Sequence, residues 1–119
     1  MRKLLVLTAA VLALTVVADV LAATPKLKGT VGPGFTITLT QSGKNVTKLK
    51  AGTYTLVVSD KASIHSFVLE KKKGGTFEKT ITSVPFMGTK TVNVKLTAGK
   101  YEYYCRPHEA SMNGTFTVT

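Results

Sequence analysis

The sequence KYEYYCRPHEASMNGTFTVT, residues 100–119, contains two strand-like segments joined by a short loop. In the first segment Tyr101, Tyr103 and Cys105 share one face, opposite Glu102. In the second, residues 115–119 alternate threonine with an apolar residue. A period of two is the pattern of a β-strand with one face in a hydrophobic core. The stretch therefore predicts strand, loop and strand, with Cys105 pointing inward where the first strand ends.

The same period of two recurs upstream. Residues 35–40 (FTITLT) and 91–96 (TVNVKL) alternate strictly, and turn signals rich in Gly, Pro and Asn separate such segments about every eight to twelve residues. No segment has a helical stripe, and no internal repeat or linker is recognised. We expect an all-β fold of about seven or eight antiparallel strands in a two-sheet Greek-key β-sandwich.

The N-terminus has the pattern of an export signal. Met1–Lys3 is basic, residues 4–18 are mostly apolar, and small residues follow up to Ala23. This pattern predicts a secretory signal peptide over residues 1–23, and the apolar run is shorter than the roughly twenty residues of a membrane span. A retained anchor is the weaker interpretation. Residues 24–119 then form one exported domain, in the periplasm, the cell envelope or outside the cell.

The charge balance indicates which partners to expect. The chain has 16 basic and 6 acidic residues, and removing Arg2, Lys3 and Asp19 with the signal leaves 14 against 5, a net charge of +9. Such a domain is drawn to acidic proteins or to an anionic envelope surface. Nucleic acid is not expected, because the protein is exported and its lysines are scattered. The run Lys71–Lys73 before two glycines is interpreted as a solvated hairpin tip.

The single cysteine and the two histidines carry the chemistry. Cys105 is the only cysteine, so an intrachain disulfide is excluded. A free thiol in an oxidising compartment is a liability unless it binds something such as a metal ion. The alternative is a buried, unreactive structural cysteine. His108 lies three residues after Cys105, with Pro107 stiffening the loop between them, and Met112 follows. A thiolate, imidazoles and a thioether form the ligand set of a blue-copper site. The second imidazole is His65, at the start of an apolar segment whose inward face the sequence leaves open.

These motifs resemble a known family. The sequence Cys105–Met112 (CRPHEASM) followed by Gly114, after a tyrosine-rich strand and a distant His-x-Phe, resembles the plastocyanin, pseudoazurin and amicyanin group of cupredoxins over roughly residues 30–119. The resemblance implies that His65 and His108 are imidazole ligands, Cys105 the thiolate and Met112 the long axial ligand of one type 1 copper. Met87 is the alternative axial ligand, although packing is the favoured interpretation of its side chain. This chain has Ser66 where many relatives have asparagine.

The function expected from these features is a shuttle for single electrons, with the edge of His108 as the electron port among Pro107, Ala110 and Met112, and with Pro33 and Phe86 as further candidates. Both histidines are used by one copper, so we expect neither further copper centres nor enzymatic activity. Transient acidic redox partners and a monomeric state are expected. Two alternatives stay open: a copper carrier or storage protein, and a metal-free β-sandwich binding module.

Overall fold

A computed structural model describes residues 10–15 and 23–119. The predicted signal peptide falls largely on residues outside these ranges and stays a prediction. Residues 10–15 are exposed and have no regular secondary structure. No helix in the described part of the chain has the length and apolar character needed to cross a membrane.

The described residues contain ten strands, which form two five-stranded sheets. Sheet I has the spatial order β3 (Lys44–Asn45), β2 (Ile37–Gln41), β1 (Lys26–Val31), β5 (Gly52–Asp60) and β8 (Gly88–Leu96). Sheet II has the order β4 (Lys48–Leu49), β10 (Asn113–Val118), β9 (Gly99–Tyr104), β6 (Phe67–Lys73) and β7 (Glu78–Thr82). The chain crosses between the sheets after β3, β4, β5, β7 and β8.

The predicted all-β sandwich is confirmed. Eight strands have five residues or more and two have only two residues, so the expected number corresponds to the longer strands. The expectation of purely antiparallel pairing was wrong, because β1 pairs with β5 and β10 pairs with β4 in parallel. Parallel neighbours need a crossover connection, and between β1 and β5 the chain passes through the other sheet at β4. The period of two is the same for both kinds of pairing and does not distinguish them.

The inner faces of the sheets form one core. In β5 the inward residues Tyr54, Leu56 and Val58 are buried and alternate with half-exposed neighbours. Removing each such large side chain from water contributes about 1.5–3 kcal/mol. Gly29 in β1 faces the ring of Phe67, and a Cβ there would come within 2.8 Å of that ring. This close approach fixes the position of Phe67, two residues after His65.

A short motif occurs twice, which corrects the expectation of no internal repeat. Residues 49–54 (LKAGTY) lead into β5 and residues 96–101 (LTAGKY) lead into β9. In each copy the tyrosine hydroxyl donates to a carbonyl four residues upstream: Tyr54 to Lys50 at 2.7 Å, and Tyr101 to Thr97 at 3.0 Å. Gly52 and Gly99 have φ values of 154° and 153°, which favour glycine. This arrangement is a tyrosine corner. One such corner therefore precedes an interior strand of each sheet, β5 in sheet I and β9 in sheet II.

The lysine run Lys71–Lys73 is only partly the solvated tip that the sequence suggests. Lys72 and Lys73 are exposed, whereas Lys71 is buried. Its Nζ donates to the Thr97 hydroxyl at 2.6 Å and lies 5.6 Å from the centre of the Tyr101 ring. Lys71 continues the inward face of Phe67 and Leu69 in β6, and the irregularity in the pairing of β6 with β9 comes only after it.

Candidate metal centre

Two central strands of sheet II bring His65 and Cys105 together. β6 and β9 are antiparallel neighbours in which Val68 lies opposite Tyr104. Residues just before β6 and just after β9 therefore meet at one end of the sandwich, which we call the site end. His65 lies two residues before β6 and Cys105 directly follows β9. Both side chains are fully buried, so the inward direction of His65, open in the sequence, is settled.

The loop after Cys105 closes on itself through its backbone. A 3₁₀ turn spans Arg106–His108, and Pro107 fits there because the first turn leaves its N–H groups unpaired in any case. The N–H of His108 donates to the Cys105 carbonyl at 3.1 Å, and the N–H of Met112 donates to the His108 carbonyl at 2.8 Å. The N–H of Cys105 donates to the Met112 carbonyl at 3.0 Å. The loop therefore holds Met112, which is fully buried, against the segment that carries Cys105.

Three ligand atoms converge on one point. The Nδ1 atoms of His65 and His108 are 3.2 Å apart, and they lie 3.7 Å and 3.5 Å from the Cys105 sulfur. The centre of a triangle with these edges is about 2.0 Å from each corner. Bonds from a small divalent metal ion are about 2.0 Å long to imidazole nitrogen and about 2.3 Å to thiolate sulfur. The three side chains therefore fit a single metal ion without rearrangement.

The protonation of His65 suits a metal ligand. Its Nε2 lies 2.9 Å from the carbonyl oxygen of Gly34. A carbonyl only accepts hydrogen bonds, so Nε2 carries the proton and Nδ1 keeps its lone pair for a metal. Gly32 lines the same loop, where φ is +73° and a Cβ would come within 3.0 Å of the His65 ring. The loop between β1 and β2 thus orients His65, which lies about thirty residues further along the chain. The sequence patterns gave no sign of this role.

Ser66 joins the two ligand-bearing segments. Its backbone N–H donates to the Cys105 sulfur at 3.4 Å, and its hydroxyl accepts the N–H of Arg106 at 2.9 Å. The serine that stands in the position of the asparagine of many relatives therefore still connects the segments.

An exposed aromatic ring covers both imidazoles. The Phe35 ring lies 5.0 Å from the His108 ring and 5.4 Å from the His65 ring, edge to face in both cases, and is 60% exposed. The sequence pattern assigned Phe35 to a strand, but β2 begins only at Ile37, so Phe35 belongs to the loop. His108 is half-buried and reaches the surface beside it.

The residues expected around His108 differ in exposure. Pro107 and Ala110 are exposed as predicted, whereas Met112 is buried beneath the surface. Met87, the substitute axial ligand of the sequence analysis, is 58% exposed. Burial therefore favours Met112 over Met87 as a ligand. Other exposed apolar side chains are Ile64 and Val84.

Charged groups lie beside the site on the outer face of sheet II. Burial raises the pKa of Tyr104 to about 12, with the Glu70 carboxylate adding to the shift and Arg106 opposing it. A hydrogen bond to Glu78 at 2.7 Å is the main reason that the pKa of Arg106 is raised. Desolvation, followed by a hydrogen bond with Glu109, raises the pKa of Glu102.

The site itself has a nitrogen and sulfur donor set. Within residues 10–15 and 23–119, His65, Cys105 and His108 are the one group of three or more His, Cys, Asp or Glu residues able to share a metal ion. Two imidazoles with a thiolate suit copper, and zinc accepts the same donors. A buried thioether in the same loop favours copper, for which a weak axial methionine is typical.

Comparison with known proteins points the same way. The model of a family described as copper binding proteins, plastocyanin/azurin family, matches residues 30–119. Reduced rusticyanin has a TM-score of 0.58 and 23% identity, covering 84% of this chain and 82% of that chain. A second rusticyanin structure has a TM-score of 0.56 and 20% identity over 79% and 76%. A reduced Cu(I) form of an amicyanin mutant has a TM-score of 0.50 and 17% identity over 85% and 87%. These identities show the fold alone, and no curated protein sequence matches significantly.

Proposed function

The chain belongs to the plastocyanin/azurin family of copper-binding proteins, and we propose that it is an exported carrier of single electrons. The predicted resemblance to cupredoxins is thereby confirmed, and the cluster of two histidines and one cysteine fits a single type 1 copper site. The observation that carries the proposal is the convergence of three ligand atoms around a point about 2.0 Å from each.

In this proposal His65, His108 and Cys105 would hold copper through Nδ1, Nδ1 and Sγ, and the buried Met112 would supply a weak thioether ligand. Copper bound by such a set supplies a one-electron couple between Cu(II) and Cu(I). The side chains keep water away, because His65, Cys105 and Met112 are fully buried. The bond from His65 Nε2 to the Gly34 carbonyl and the bond from the Ser66 N–H to the Cys105 sulfur hold His65 and Cys105 in place. A site fixed in this way changes little between oxidation states, and a small rearrangement favours fast electron transfer.

The surface around His108 supports an electron port. His108 is the one half-buried member of the cluster, and the exposed Phe35 and Pro107 surround its outer edge. A second exit follows the chain from Cys105 to Tyr104 on the outer face of sheet II. An exposed apolar surface of this kind suits the small, transient contacts of electron-transfer proteins. We expect the partners to be acidic proteins, and we expect their rates of association with this protein to fall as salt is added. We expect no enzymatic activity.

Copper carriage or storage is the second candidate, because a single site also serves delivery. Burial of three of the four proposed ligands, and the backbone bonds that close the loop from Cys105 to Met112, argue against easy release. We therefore favour electron transfer over delivery.

Protein-film voltammetry in the presence of a copper chelator separates the two. A shuttle gives a reversible one-electron wave that persists over many cycles, with copper retained in the protein. A wave that decays as copper moves to the chelator would assign the protein to carriage. Matched runs on Cys105→Ser show how much of the signal depends on the thiolate.

A further inference from the structure

Six exposed lysines, besides Lys26 at the start of β1, gather at the end of the sandwich opposite the metal site. We call them the lysine pole: Lys44, Lys48, Lys50, Lys73, Lys95 and Lys100. Both sheets contribute. Among the described residues, ion pairs join Lys72 and Arg106 to glutamates, and no member of the pole takes part in one.

Strand direction places these lysines together. β6 begins and β9 ends at the site end, so Lys73 at the end of β6 and Lys100 at the start of β9 lie opposite each other at the other end, which we call the far end. Lys48 in β4 pairs with Thr117 in β10, and Thr117 also lies opposite Lys100 in β9. In sheet I, Lys95 near the end of β8 lies opposite Thr53 at the start of β5, which Lys50 precedes.

The charge is separated along the molecule. The five acidic residues of residues 24–119 lie away from the pole. Asp60 and Glu109 are at the site end, and Glu70, Glu78 and Glu102 face one another across the middle of sheet II. The site end instead presents exposed apolar side chains, including Phe35 and Met87. Six of the 14 basic residues of residues 24–119 therefore lie together at the far end, which holds none of the five acidic residues.

We propose that the lysine pole docks this protein on an anionic lipid bilayer, with the metal site facing away from the membrane. Ammonium groups without carboxylate partners complement lipid phosphates, and each basic residue near an anionic bilayer contributes about a factor of five in affinity. Two further observations favour a bilayer. β1 enters the fold at Lys26, at the far end, and the apolar segment of residues 4–18 lies only a few residues upstream. While that segment is in a membrane during export, the far end is the part of the domain closest to it.

This orientation has a functional consequence that goes beyond electron carriage. A pole on the bilayer leaves the surface around His108 and Phe35 free, so the protein diffuses in two dimensions while it meets its partners. Membrane docking does not depend on the redox role, so the two proposals fail separately.

Binding to vesicles tests the proposal. All strands in the described part of the chain lie within residues 26–118, so the protein without residues 1–23 keeps all of them. Vesicles of mixed phosphatidylglycerol and phosphatidylcholine are expected to bind it at low salt, pure phosphatidylcholine vesicles are not, and high salt releases it. The variant K44Q/K48Q/K50Q/K100Q is expected to bind at least about 100-fold more weakly.

A matched variant separates location from net charge. K28Q/K61Q/K79Q/K90Q removes the same four charges from exposed lysines outside the pole and is expected to lose less than about 10-fold. Equal losses in the two variants would overturn the proposal, as would binding to neutral vesicles or binding that resists salt. Retention on an anionic polysaccharide such as alginate without binding to vesicles would also overturn it.

Orientation has its own measurement. With the diamagnetic Cu(I) protein and a spin-labelled lipid headgroup, nuclear magnetic resonance is expected to show broadening of amides in residues 44–50 and 97–100. Amides of residues 33–35 and 106–110 keep sharp lines. Broadening confined to the second group would show that the site end faces the membrane and would overturn the proposal.

Discussion

At the far end of the sandwich the buried polar groups of the Tyr101 corner bond to one another. At the site end, by contrast, three atoms with lone pairs point at a common centre. The Tyr101 hydroxyl donates to the Thr97 carbonyl and accepts the Thr97 N–H at 3.1 Å, so both partners are satisfied within the chain. At the site end the two Nδ1 atoms and the sulfur of Cys105 lie 3.2–3.7 Å apart. The buried corner around Tyr101 therefore needs no ligand for its stability, whereas we expect stability at the site end to be coupled to a cation.

The largest expected effect is stabilisation by copper. A ligand that binds only the folded protein stabilises it by about 4 kcal/mol when its free concentration is a thousand times its Kd. We expect a clear rise in the thermal unfolding midpoint when copper is added. Cys105→Ser, at the site end, is expected to lose most of this rise. The same rise in wild type and Cys105→Ser would break the comparison.

The next largest effect is expected from a substitution at the far end. Tyr101→Phe removes one hydroxyl that makes two hydrogen bonds with Thr97, and we expect a loss of about 1–2 kcal/mol in the free energy of unfolding, measured with urea. The rise produced by copper is expected to remain. Tyr54→Phe, in the other copy of the corner, serves as the matched variant and removes one bond. If Tyr101→Phe altered the copper-dependent rise as strongly as Cys105→Ser, the two ends would not be independent.

A smaller change is expected from the link between the ligand segments. Ser66→Ala removes the acceptor of the Arg106 N–H and keeps the backbone N–H that donates to Cys105. One such hydrogen bond contributes about 1 kcal/mol, so we expect copper to be lost to a chelator about five times faster. Ser63→Ala, an exposed serine in the same segment, is the control. Equal rates in the two variants would show that the hydroxyl has no part in holding the site.

The smallest effect concerns Tyr104, beside Cys105. Burial, followed by Glu70, raises its pKa to about 12 from an ordinary value near 10. The folded protein therefore keeps this proton where the unfolded chain loses it. The resulting stability is fully present below about pH 10 and is lost as the pH rises towards 12. Because lysines titrate in the same range, the difference between wild type and Tyr104→Phe is the quantity to measure, by urea unfolding at several pH values. No difference between them from pH 10 to 12 would contradict the assignment.

Strand periodicity predicted much of this molecule. Alternation placed Tyr101, Tyr103 and Cys105 on an inward face, and all three are buried. It also predicted a sandwich whose strand ends bring His65 and Cys105 together, because antiparallel neighbours place the start of one strand beside the end of the other.

Other features depend on contacts that local patterns do not carry. Gly34 orients His65 across 31 residues, and Phe35 covers both imidazoles from a loop that resembles a strand. Lys71 is buried because it continues the inward face of β6 and Gly99 leaves space beside its stem. The repeated corner, in contrast, was readable: LKAGTY and LTAGKY differ at only two of their positions.

The central claim is that Cys105 and the two histidines hold one type 1 copper. Visible absorption combined with electron paramagnetic resonance of the copper-loaded protein tests it most directly. The account predicts an intense thiolate-to-copper charge-transfer band and a small copper hyperfine splitting, both abolished in Cys105→Ser. A copper protein with only weak visible absorption, or a band that survives in Cys105→Ser, would contradict it.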